Sequence, residues 1–393
     1  MVRVSAVEGC HGFDGRDSSH HFMNKNIRIG IAGLGSMGCG HARSIMEGKI
    51  PRLQLTAATD VVAAQAANFP DVPFFSTPDA MISSGLIDAI LIVTPHFSHT
   101  TIGAAALKAG IHVLVEKPIS VHKADAEKLI AAHTDKRVVF AAMFNQRTDP
   151  YYATIRQMIQ DGTLGTVRRI NWTVTDWFRP NAYYASGGWR ATWQGEGGGV
   201  LLNQCPHNLD LMYWLFGQPK RVRAFCSIGR YHDIEVEDDV TAYLEYEGGV
   251  TGVFIASTGE APGTNRLEVA GENGKLIMEN DRLVFTENEV STSEFCRTTI
   301  ERFAKPKSTE RVIPVDGHGG QHLAIMQNFT EAILDGKPLL APAEEGIHSV
   351  ELANAMILSS FQNRTVDLPF DGHIYEKLLL QKIAESPRSK KTP

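Results

Sequence analysis

A glycine-rich turn between an apolar run and a helical stretch constrains this chain more than any other feature. Ile27-Arg28-Ile29-Gly30-Ile31-Ala32 has strand character and runs into Gly33-Leu34-Gly35-Ser36-Met37-Gly38, after which a helix-compatible stretch continues through Met46. The string alone is a weak signal in a chain with 35 glycines; its context gives it meaning. A second strand, Leu53 to Thr59, ends in Asp60, 22 positions after Gly38, close to the ~20-residue spacing of a dinucleotide-binding βαβ unit. Gly33 permits the tight turn, Gly35 lets backbone N–H groups approach a pyrophosphate, and Gly38 lets the helix pack close to the sheet. The helix N-terminus adds partial positive charge. Gly33, Gly35, Ser36, Met37, Gly38 and Asp60 are therefore cofactor-binding candidates. A carboxylate at Asp60 accepts ribose hydroxyls and repels a 2′-phosphate, and the following Val61 and Val62 supply no cation, which favours NAD over NADP.

Two more βα units follow. Ile87 to Val93 reads as a strand leading into Thr94-Pro95, Thr100 to Ala109 as a helix stopped by Gly110, and Ile111 to Val115 as a strand ending in Glu116-Lys117-Pro118. Val138 to Ala142 is a last strand, ending at Asn145-Gln146-Arg147. Strands alternating with helices predict a doubly wound parallel sheet, whose ligands sit beyond the carboxyl ends of the strands, where Thr94, Glu116 and Lys117 fall. Position alone leaves Lys117 open between a solvated strand-end lysine and one that Pro118 aims inward.

After Pro150 the rhythm changes. A helix over Tyr151 to Asp161 precedes seven strand-like runs, starting with Thr166 to Phe178 and Lys220 to Gly229, with turns at Gly248-Gly249, Glu272-Asn273-Gly274 and Asn280-Asp281. Helices are expected at Gln321 to Leu334 and Glu344 to Gln362. This pattern predicts an α+β unit with a large, mostly antiparallel open sheet. Between its first two strands lies Trp189 to Gly217, with Gly197-Gly198-Gly199, Asn203, Pro206, His207 and Asp210. Leu211, Trp214 and Leu215 fall at helical spacing and Gly217 is a stop signal. On the residues alone, His207 is either a core or helix-start histidine or a functional one, with Asn203 and Asp210 available to its face.

Composition excludes several classes. The 393 residues are 43% hydrophobic and 21% charged, with a net charge of −6, which argues against disorder as the main state. No long Lys/Arg run suggests a nucleic-acid footprint, and no apolar stretch is long enough for a membrane span. Cys10, Cys39, Cys205, Cys226 and Cys296 are dispersed without C-x-x-C spacing, which reads as reduced thiols in a cytoplasmic protein and no metal site. Residues 1–26, with His11, His20 and His21, lack an apolar period and read as a flexible arm. The expected division is thus 1–26 arm, 27–147 Rossmann domain, 148–375 substrate-binding and oligomerisation domain, and 376–393 tail.

Taken in order, these pieces make the chain resemble the Gfo/Idh/MocA oxidoreductases, the family of glucose–fructose oxidoreductase and the inositol dehydrogenases. The resemblance rests on Gly33 to Gly38, Asp60, Thr94-Pro95 with His99, Glu116-Lys117-Pro118, Asn145 and Arg147, and Gly197-Gly198-Gly199 through His207 and Asp210. It implies hydride transfer between a secondary hydroxyl of a sugar, inositol or glycoside and a nicotinamide. Lys117 and His207 inherit the catalytic roles: Lys117 stabilises developing alkoxide and His207 accepts the hydroxyl proton. Thr94, Pro95, His96, His99, Glu116, Lys117 and Asn145 are implied to line the cofactor, and Lys117, Arg147, Asp176, Trp189, Arg190, Asn203 and His207 the substrate. Trp172, Trp177 and Trp189 stand open between sugar platform and core. Two departures stand out: Asn203 where many members carry Asp, and His96 where Asn is frequent. An amide orients His207 without stabilising an imidazolium. Two alternatives are a glycoside-processing enzyme using tightly bound NAD for transient oxidation, and a non-catalytic cofactor-binding regulator. The open sheet and the family both imply a homodimer or homotetramer.

Overall fold

The computed structural model describes residues 26–387; the expected arm, apart from Asn26, and residues 388–393 lie outside the described residues. Six strands, β1 (Ile27–Ala32), β2 (Leu53–Thr59), β3 (Phe74–Phe75), β4 (Ala89–Ile92), β5 (His112–Val115) and β6 (Phe140–Ala142), form a parallel sheet in the order β3-β2-β1-β4-β5-β6. Helices α1 (Ser36–Met46), α2 (Pro78–Ile82), α3 (Phe97–Lys108) and α4 (Lys123–Ala131) lie between its strands. β4 and β6 are buried at every residue, as expected of parallel strands covered on both faces, and this is why they read as unbroken apolar runs. The strand order reverses between β1 and β4, which opens a crevice at their carboxyl ends.

α5 (Pro150–Gln160) leads into the second unit. Asp149 caps it by accepting from Tyr151 N, and Pro150 occupies its first turn. Nine strands follow: β7 (Val167–Val174), β8 (Arg221–Ile228), β9 (Glu237–Glu245), β10 (Thr251–Ser257), β11 (Asn265–Gly271), β12 (Gly274–Glu279), β13 (Arg282–Asn288), β14 (Ser308–Ile313) and β15 (Val366–Asp367). They run in the order β14-β13-β12-β11-β7-β10-β9-β8-β15, antiparallel except between β7 and β10. Register enforces two faces. Ala224, Ala242, Phe254, Trp172 and Leu267 lie side by side across five strands and are all buried. One residue earlier or later, Arg223, Tyr243, Val253, Asn171 and Glu268 form the opposite row. Trp172 is therefore a core residue, and Trp177 packs against the same core.

The remaining helices are α6 (Asn181–Tyr184), α7 (Pro206–Phe216), α8 (Thr292–Thr298), α9 (Gln321–Asp335), α10 (Gly346–Gln362) and α11 (Gly372–Glu385). α10 packs on α7 and β8. Residues 376–385 are not a tail: they lie in α11, capped by Asp371, which buries Tyr375 and Leu379. Burial of one stripe holds them on the fold. Among the described residues, no helix is long and apolar enough to cross a membrane.

Candidate active site

One continuous cavity of about 1240 Å³ runs from the Gly33–Gly38 turn, past the ends of β2, β4 and β5, to Trp189, Asn203 and His207. Its nucleotide half is built by backbone. Gly33 sits at φ 97°, and a Cβ there would run into the Val93 carbonyl; one on Gly38 would run into the Gly33 carbonyl. Gly35 faces open space and is the N-cap of α1 with no side-chain cap, so the first-turn N–H groups are left for an anion. Asp60 Oδ2 accepts from Leu34 N at 2.6 Å and Oδ1 from Val62 N at 2.8 Å, which ties the acidic residue to the glycine turn. An adenine dinucleotide fits this donor set. Asp60→Ala is expected to lower the preference for NAD over NADP, measured as a ratio of kcat/KM values, by roughly ten- to a hundredfold, the worth of a charged hydrogen bond; an unchanged ratio would place the selection elsewhere.

Thr94, Pro95, His96 and His99 reach the cavity from the turn into α3. Burial, then the charges of His99 and Lys117, push His96 down to about 3, so its ring is neutral. His99 acts as a tie between loops: Nδ1 lies 2.9 Å from the Pro118 carbonyl and Nε2 2.8 Å from that of Thr94. Glu116 meets His41 Nε2 at 3.0 Å. Burial alone would raise its pKa, but His41, Lys117 and His322 hold it at about 2.

The peptide bond between Lys117 and Pro118 is cis, and Lys117 Nζ donates to the Asn203 carbonyl at 2.9 Å. Burial lowers the Lys117 pKa, with Glu116 and Glu196 opposing. His207 lies in the first turn of α7 after Pro206, where proline costs no helical hydrogen bond. Its Nδ1 is buried without a partner among the described residues, and burial with the nearby Lys117 charge pushes it down to about 3. Asn203 does not support it: the amide Nδ2 donates to Glu196, and Oδ1 accepts from Tyr183 OH at 3.4 Å.

Trp189 and Arg190 line the far end of the same cavity. The Arg190 guanidinium lies 4.6 Å from the ring centroids of both Trp189 and Tyr183 and donates to Tyr183 OH at 2.9 Å. Four expected residues are not among those lining the cavity; one, Gly38, packs α1 against the Gly33 carbonyl. Arg147 does not line the cavity: its side chain, 1% exposed, grips Asp210 through two bonds of 2.8 and 2.6 Å and meets Glu345 at 2.5 Å. That also removes Asp210 as a partner for His207. Asn145 donates to Gln321 at 2.6 Å and is not among the lining residues, nor is Asp176. Sequence reading missed His322 from α9, Tyr183 from α6, and Gln65, Ser76 and Asp79 at the nucleotide end, because no local pattern marks residues brought in by tertiary packing. Away from the cavity, His122, Asp125 and Glu376 bring ligand atoms within 4.8 Å of one another, with the Lys128 ammonium 2.8 Å from Asp125 and 3.5 Å from Glu376.

Residues 27–144 match the oxidoreductase family with an NAD-binding Rossmann fold, and residues 152–277 match the GFO/IDH/MocA C-terminal domain. The chain is 25% identical over 348 residues to inositol 2-dehydrogenase of Rhizobium meliloti, covering 87% of this chain and 99% of that protein. It is 24% identical to levoglucosan dehydrogenase of Pseudarthrobacter phenanthrenivorans, over 88% and 99% of the two chains. Among solved structures, the WlbA dehydrogenase from Bordetella pertussis in complex with NADH and UDP-GlcNAcA superposes with a TM-score of 0.74 at 23% identity, over 88% of this chain and all of that one. With both halves matched in order and the glycine turn, lysine and histidine gathered on one cavity, the chain belongs to the Gfo/Idh/MocA family of NAD-binding oxidoreductases.

Proposed function

We propose that this protein is an NAD-dependent dehydrogenase that oxidises a secondary hydroxyl of a sugar, inositol or related polyol. The observation that carries the reading is the placement of Lys117 and His207 on the same cavity as the Gly33–Gly38 turn and Asp60. The relatives named above act on, or are bound with, molecules of this class. When bound, NAD supplies the hydride acceptor. The chain must then take the hydroxyl proton and steady the developing alkoxide. His207, pushed down to about 3 chiefly by burial, is a poor resting place for a proton. Lys117, lowered by burial with Glu116 and Glu196 opposing, is the better final acceptor, with His207 orienting the hydroxyl. Trp189 offers a flat face to a sugar ring, and Arg190 offers donors to its hydroxyls.

Because the base must be neutral to act, kcat/KM is expected to fall as pH drops through the lowered Lys117 pKa, with a midpoint below the ordinary lysine value of 10.5. The pH profile measures it; no second limb near 6.5 is expected from His207. The defining experiment follows reduced-nicotinamide absorbance with NAD across free sugars, inositols and glycosides. Steady growth with one class supports the reading. Glycoside loss without NADH accumulation would mean transient oxidation, and bound NAD with no turnover would mean a regulator.

The same reading includes a reducing, cytoplasmic setting, supported by the free thiols of Cys39, Cys205, Cys226 and Cys296. It also includes a homodimer or homotetramer joined through the outer face of the nine-stranded sheet, where Phe225 and Tyr243 are 62% and 43% exposed. Light scattering of the wild type and Phe225→Glu tests that assembly.

A further inference from the structure

Glu196 touches no reacting group, yet its carboxylate is buried one hydrogen bond behind the cavity-lining Asn203. The residue is 2% exposed and lies between Gly195 and Gly197 in the loop before α7. Its Oε2 accepts from Ala191 N at 2.6 Å, and its Oε1 accepts from the Asn203 amide. Arg190 approaches only to 3.9 Å, because its guanidinium is turned toward Tyr183 OH. Asn203 in turn holds Lys117 Nζ through its own backbone carbonyl. A single residue therefore connects the buried carboxylate to the amine at the reacting end of the cavity.

We propose that Glu196 is a positioning residue for hydride transfer: its carboxylate fixes Asn203, and through Asn203 the Lys117 amine, on which its negative charge also acts. The proposal rests on the reading of Lys117 as the base. It also accounts for an amide at 203, since the acid stands one hydrogen bond behind the position where an aspartate would supply it. Two carboxylates act on Lys117: Glu116, the larger contributor, which His41 holds in place, and Glu196. Cys205 is neutral, because burial pushes its thiol up. Arg179 acts in the opposite sense. On the side of Glu196, burial raises its pKa, while the Ala191 N–H, Arg190, Asn203 and Lys117 favour the ionised form. Glu237 and Tyr184 also feel its charge, and His96 Nδ1 lies 3.4 Å from its backbone oxygen.

Amide substitution separates charge from packing. Glu196→Gln keeps an acceptor for Ala191 N but sets an NH2 group against the Asn203 amide and removes the charge. Combining it with Asn203→Asp restores both hydrogen bonds, with the donor reversed and the charge moved one residue closer to Lys117. The measurement is the titration of Lys117 in the NAD-loaded protein, by competitive acetylation with acetic anhydride across a pH series and peptide mass spectrometry. It needs no substrate. Glu196→Gln is expected to move the Lys117 midpoint down by about one pH unit, a tenfold change in the protonation equilibrium, and to lower kcat with little change in the KM for NAD. The double variant is expected to bring the midpoint above the wild-type value, because the charge stands nearer to Lys117, and to recover kcat. If the single variant does not fold, a double-variant midpoint above that of the wild type carries the test. Equal midpoints in wild type and variants overturn the proposal alone. A midpoint that moves in a protein unable to transfer hydride from any sugar or polyol overturns the functional reading, and the proposal with it.

Discussion

Lys117→Ala is expected to lower kcat/KM by about three orders of magnitude while NADH binding, followed by fluorescence titration, stays at the wild-type value. The size combines a lost proton acceptor with lost stabilisation of charge on the substrate oxygen. The cofactor should be indifferent because the nucleotide half of the cavity is made of the glycine turn and Asp60. Lys117→Arg separates the two contributions. Arginine keeps the positive charge but does not give up its proton in a protein, so it should be nearly as inactive as alanine. If it retained most of the wild-type rate, Lys117 would act as a fixed cation and the proton would go elsewhere.

The second large effect is on stability. Arg147 and Asp210 are each 1% exposed at the side chain and grip one another in a two-bond pair, with Glu345 on the other edge of the guanidinium. Arg147→Leu leaves Asp210 buried and unpaired, at a cost of roughly 3–5 kcal/mol. For a chain of 393 residues that is a fall in Tm of about 5 °C. The KM for substrate, measured on the surviving folded fraction, should not change. Replacing both Arg147 and Asp210 with leucine should recover much of the loss, because no isolated charge remains. A raised KM with an unchanged Tm would return Arg147 to the substrate wall.

The contrast between these two residues shows what was legible in the sequence. Lys117 was legible in part: a strand, its carboxyl end and a proline put it at the ligand edge of the sheet, and only the family resemblance gave it a role. Gly33, Gly38 and Asp60 could be read from local order, because their functions are met by a turn and by a strand end at a set spacing. Arg147 also follows a strand end and was placed with them. Its partners, however, are 63 and 198 residues away in the chain, and no local pattern announces a buried ion pair closed over such distances. Glu196 and His322 stayed hidden for the same reason. Asn203 was visible as a departure, but the direction of its amide, toward Glu196 and not His207, is set by tertiary packing. Among the strands, β14 escaped notice because all but its last residue are exposed, so it shows none of the alternation that marks a half-buried strand.

Every residue lining the cavity precedes position 323, yet the glycine-rich loop beside it leans on a later part of the chain. The Tyr375 hydroxyl, at 0% exposure, donates to the Gly197 carbonyl at 3.3 Å. Lys123, from the parallel-sheet half, donates to Glu351 and to the Phe370 carbonyl. A ribosome therefore makes the whole pocket well before it makes what props the pocket up, and the parallel-sheet unit is free to fold in the interval. A chain clipped ahead of α11 keeps every cavity-lining residue and loses the Tyr375 bond to the glycine loop.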